Sequence, residues 1–142
     1  MGRALLLIYF VVSGTVAAFI GGFVAAVLAT AFVLGPLALF ALGPFIGGVG
    51  ALAGFKLALL PAILFGGLLW WLEIEEALIW GATGAVVALI LQTFIGAMVI
   101  VPGWLGLTAA FIIAGITAAL TFRAIMVAFT GLNDSPGPFG SD

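Results

Sequence analysis

The chain has 142 residues, 66% hydrophobic and 6% charged, with a formal net charge of −2 and a mean hydropathy of +1.51. A soluble domain is about one quarter charged because it needs a wetted surface, so these figures exclude a water-soluble globule and predict an all-α integral membrane protein. Three basic residues form no patch for nucleic acid, and the lack of Cys and His removes disulfides, thiolate chemistry and the commonest ligand for haem, zinc and pigments.

The opening Met-Gly-Arg-Ala-Leu-Leu-Leu-Ile resembles the start of a signal peptide. The apolar run continues uncharged to Leu34, however, which favours a retained first span over residues 4–34. As a helix that run is about 46 Å long against about 30 Å of hydrocarbon, so it must tilt, bend near Gly21-Gly22 or emerge from the bilayer. Its small residues form two adjacent four-residue ladders. One contains Ser13, Ala17, Gly21, Ala25 and Ala29, the other Gly14, Ala18, Gly22, Ala26 and Thr30. Such ladders let a second helix backbone approach closely, and two side by side make a broader packing face than one neighbour needs.

Two Gly-Pro pairs follow, Gly35-Pro36 and Gly43-Pro44. Gly ends helices and Pro fits the first turn of a new one, so the apolar piece 36–43 is expected to be an interfacial or re-entrant segment. The second span then covers 44–72 and carries the ladder Gly50, Gly54, Ala58, Ala62 and Gly66, with Lys56 in its interior and a kink expected at Pro61.

Three of the five acidic residues, Glu73, Glu75 and Glu76, and three of the four tryptophans, Trp70, Trp71 and Trp80, are concentrated next. Carboxylates are costly in hydrocarbon and indoles settle at the membrane boundary, so this stretch reads as a tight turn at one face with the tryptophans as interface anchors. The third span runs over 77–101, with Gly84 and Ala88 among its small residues and Gln92 and Thr93 as polar interior residues. Pro102-Gly103-Trp104 marks the opposite face, with Trp104 as its anchor. The fourth span, 105–127, carries Gly106, Ala110, Ala114 and Ala118, and brings Arg123 to the level of the acidic turn. The result is a single domain of four transmembrane helices in two hairpins with short loops, followed by a polar tail at 131–142. Arg3 and Arg123 share one side, so the positive-inside rule makes both termini cytoplasmic.

Lys56 is the residue that most invites a functional reading, because ionisable side chains within spans mark ion or substrate paths. It lies 17 residues before Glu73, and Gln92 lies 16 after Glu76, so a regular hairpin places both about 25 Å from the turn. Lys56 and Gln92 are therefore the candidate intramembrane polar site, and no Asp or Glu of the chain shares their depth. A lysine that snorkels to an interface is the plainer alternative. The three glutamates together with Arg123 are read as interfacial contacts for a partner. They could also hold a cation, but acids that stop one helix and start the next explain them more simply. Hydroxyls such as Ser13, Thr15 and Thr30 are expected to bond back to their own helix carbonyls.

No nucleophile has a base within reach, so no catalytic or metal-binding residue is assigned and an enzyme is not expected. Small four-helix drug exporters resemble the chain in length and span count alone. Their essential glutamate lies in the first helix, and this first span has no acidic residue. The leading expectation is a small non-catalytic subunit of a larger membrane complex, partnered by other membrane subunits and lipids. Contact with a quinone or pigment through the face Gly14, Ala17, Ala18, Gly21, Gly22, Ala25 and Ala26 stays open. The alternative is a homo-oligomeric transporter or channel with Lys56 and Gln92 on its pathway.

Overall fold

A computed structural model describes residues 3–96 and 104–130. It contains four helices: α1 (Arg3–Leu34), α2 (Pro36–Trp71), α3 (Ala77–Gly96) and α4 (Trp104–Thr130). Each has a stretch long and apolar enough to cross a membrane, so the chain is an all-α, multi-pass membrane protein. The expected end of the third span at 97–101, the turn at 102–103 and the tail 131–142 lie outside the described residues. So do the side chains of Arg3 and Trp104.

The helices do not pack in chain order around a square. α1 lies against both α2 and α4, α4 carries α3 on its other side, and α2 meets α3 and α4 only slightly. The spatial order is therefore α2, α1, α4, α3. Both α1 ladders are used inside the chain. Gly22 lies on Gly50 and Gly54, where a Cβ at Gly54 would come within 2.8 Å of the Ala18 carbonyl. On the other ladder, a Cβ at Gly21 would stand 2.9 Å from the Cβ of Ala118 in α4. The broad small face of the first span thus serves two neighbours, α2 and α4. The α3–α4 seam is equally close, with Gly84 against the Gly115 carbonyl and Ala119. Small residues are what permit these approaches, since lipid supplies no hydrophobic drive to pull helices together.

The segment 36–43 is not a separate interfacial or re-entrant piece. Gly35 takes a left-handed φ of 88° and Pro36 opens α2, as the Gly-Pro rule predicts. At Gly43-Pro44 the helix continues, and it continues again through Pro61. A proline deletes one backbone donor and strains one preceding carbonyl. In lipid a continuous helix still satisfies more backbone groups than an interruption, which would leave several of them without water.

At the acidic turn α2 closes in a Schellman motif. Glu73 N–H donates to the Trp70 carbonyl at 3.0 Å and Ile74 N–H to the Leu69 carbonyl at 3.1 Å. Glu73 occupies the left-handed position, with φ 54°. Glu76 then starts α3 by accepting from the backbone N–H groups of Ile79 and Trp80 at 3.1 and 3.3 Å.

Candidate functional site

A core cluster of Ala17, Leu69, Trp80, Phe122 and Met126 closes the bundle near the acidic turn. Trp80, expected from the sequence to be an interface anchor, is instead a core residue with 2% of its surface exposed. Its ring stacks on Phe122 with centroids 5.8 Å apart, and its indole N–H donates to the Ile74 carbonyl at 2.7 Å. Trp70 meets Phe10 edge-on at 6.1 Å, while Trp71 is 77% exposed. Tyr9 stacks on Phe129 at 4.7 Å, so the start of α1 and the end of α4 share one end of the bundle.

Arg123 reaches the turn, but not through the carboxylates. Its Nε and a terminal guanidinium nitrogen both donate to the Glu75 backbone carbonyl, at 3.0 and 2.7 Å. This paired donation holds a carbonyl in the turn between α2 and α3, where neither helix's own ladder satisfies it. Glu73, Glu75 and Glu76 leave their side chains exposed, and among the described residues no three acidic groups converge as a metal-holding set.

Because α2 and α3 barely meet, an apolar cleft of about 390 Å³ opens between them, with α1 and α4 as its floor. Most of its walls are small residues: Ala17, Ala18, Gly21, Gly22, Ala25 and Ala26 from α1, Gly50, Ala53, Gly54, Ala58 and Ala62 from α2, and Gly84, Ala88, Ala114 and Ala118 across from them, with larger side chains such as Leu57, Phe65, Leu91 and Phe111 among them. Leu69, Trp80 and Phe122 line the end nearest the acidic turn. Thr83 and the already committed Trp80 indole supply the only polar side-chain groups among the described lining residues. Among the described lining residues there is no carboxylate, amine, thiol or imidazole.

The structure does not bring Lys56 and Gln92 together. Gln92 turns towards α4 and donates to the Thr108 hydroxyl at 2.7 Å, close to Gly106, which packs on Phe32. Lys56 instead follows Phe55, whose ring stacks on Phe19 at 5.1 Å. Phe19 and Phe32 are 13 residues apart on α1, about 20 Å along its axis. A shared depth requires α2 and α3 to pack against each other as one hairpin measured from the turn, and they barely meet. Each instead takes its level from a different neighbour, α2 from α1 and α3 from α4.

Phe19 lies midway between Arg3 and Leu34, so Lys56 sits near the middle of the bundle. It does not line the cleft and its side chain is exposed. A lysine at the centre of a span costs about 2.5–3.5 kcal/mol on insertion-derived scales. Sequence reading alone had no means of finding the cleft, because it arises from two helices failing to touch.

No protein-family model, curated protein or solved structure matches the chain.

Proposed function

We propose that the protein is a small, non-catalytic integral subunit of a larger membrane assembly, with other membrane subunits and lipids as its contacts. The observation that carries this reading is the cleft between α2 and α3. Gly and Ala positions of all four helices make up most of its walls, the surface that lets another backbone or a hydrocarbon chain approach closely in lipid. Its lack of convergent polar groups argues for packing over chemistry. The positive-inside rule places the acidic-turn end, with Arg123, in the cytoplasm.

The alternative of a homo-oligomeric transporter draws less support, since the cleft is lined by neither Lys56 nor Gln92. The two readings separate in one experiment. Mass spectrometry of the native assembly, solubilised in mild detergent, is expected to show different chains bound at stoichiometric yield. Recovery of a homo-oligomer alone sinks the subunit reading, and loss of flux in proteoliposomes on Lys56→Ala, with assembly intact, establishes the transporter.

A further inference from the structure

The outer face of α2 carries Phe45, Val49, Leu52, Lys56 and Leu60, spaced three or four residues apart and all exposed. Four of these five are apolar, as a surface that faces lipid requires. The fifth places an ammonium group near mid-bundle, level with Phe19 and away from the cleft. The acidic side chains of the described chain stand at the turn, and Asp134 and Asp142 belong to the tail. A cation held near mid-span reaches water only by snorkelling or by thinning the bilayer, and an opposite charge brought to it removes the need for either.

We propose that this face docks a transmembrane helix of another protein that carries an Asp or Glu at the depth of Lys56. The inference rests on the subunit reading and names the chemistry of the partner. A second copy of this chain does not fit. Lys56 lies near mid-depth, so a copy in either orientation brings lysine level with lysine, and its glutamates remain at the turn. An uncharged helix does not fit either, since it covers the apolar residues and leaves the ammonium unmatched. The partner's carboxylate accepts hydrogen bonds from the Lys56 Nζ, while Val49, Leu52 and Leu60 give the apolar contact on both sides of it.

The test uses the full chain, donor-labelled and reconstituted in phosphatidylcholine vesicles. The probe is a synthetic transmembrane Leu-Ala peptide with terminal lysines and one central Glu, compared with the same peptide bearing a central Leu. Energy transfer is expected to show the Glu peptide bound at least about tenfold more tightly, a difference of about 1.4 kcal/mol. Lys56→Met should bring the ratio to one without unfolding the bundle, because the side chain is exposed. Lys56→Glu should reverse the preference towards a peptide with a central Lys. Equal binding of the two peptides by the wild type, or a preference that survives Lys56→Met, overturns the proposal. Native co-purification reports separately on the subunit reading. A hetero-complex found beside equal peptide binding leaves that reading standing and removes this one. A charge preference without any native partner removes the subunit reading and, with it, the docking of a partner helix on this face.

Discussion

Two residues sit in conformations or surroundings that ordinary rules disfavour, and each predicts a substitution that stabilises. Glu73 holds the left-handed position of the Schellman closure, with φ 54°. An L-residue there costs about 1–2 kcal/mol that glycine avoids. Glu73→Gly should therefore raise the unfolding midpoint in mixed detergent micelles by the equivalent of about 1 kcal/mol, and the β-branched Glu73→Val should lower it. Unchanged midpoints for both would mean that the turn does not hold this backbone. Ser13 is the second case. Its hydroxyl is fully buried in α1 and makes no hydrogen bond among the described residues, whereas Thr15 and Thr30 donate to the carbonyls of Val11 and Ala26 at 2.7 Å. An unmatched buried hydroxyl costs more than the methyl of alanine. Ser13→Ala is expected to be neutral to about 1 kcal/mol stabilising by the same assay, and a clear loss would reveal a bonding partner for the hydroxyl.

Between elements, the glycines divide by what a Cβ would meet. Gly84 crosses α4 so closely that an added methyl would collide with the Gly115 carbonyl and with Ala119. Gly48 on α2 has open space around it. Gly84→Ala should cost about 1–3 kcal/mol by overpacking, while Gly48→Ala should cost nothing and gain some helix propensity. A thermal-inactivation or denaturant series on the two variants checks the contrast, and equal effects would argue against the α3–α4 seam. The ladders that form these crossings are legible in the sequence, as are the helix count and the end of α1 at Leu34, because long apolar runs and small-residue spacing encode them directly. What each ladder faces is not legible. The two stripes of α1 looked like one surface for an outside partner, and the period of a helix cannot say which neighbour covers it. The continuity of α2 through Pro44 is illegible for a related reason. The local cost of the proline is readable, but the larger cost of breaking a helix in lipid depends on the surroundings. Lys56 was legible as unusual and Gln92 as polar, yet their separation depends on which helix each one's helix leans against.

At the scale of the molecule, the two hairpins are joined chiefly through the α1–α4 contact, since α2 touches α3 and α4 only slightly. The acidic turn is thus a tether whose structural contacts lie mostly with the second hairpin. Arg123 of α4 holds the Glu75 carbonyl, and Trp80 of α3 holds that of Ile74. Cutting the chain after Leu72 leaves those bonds within one fragment and the α1–α2 glycine crossing within the other. Helical hairpins satisfy their own backbones in lipid, so each fragment can insert independently. Co-expressed fragments are then expected to reassemble through Ala17 and Gly21 on Ala114, Ala118 and Phe122, and an affinity tag on 1–72 should recover 73–142 from membranes. Ala118→Leu should abolish that recovery, because the Cβ of Ala118 already defines the closest approach to Gly21. The same substitution in the intact chain should lower stability while leaving the topology unchanged, since the tether still keeps the hairpins at high effective concentration. Failure of the unmodified fragments to associate would show instead that the turn, more than the α1–α4 seam, holds the cleft in shape.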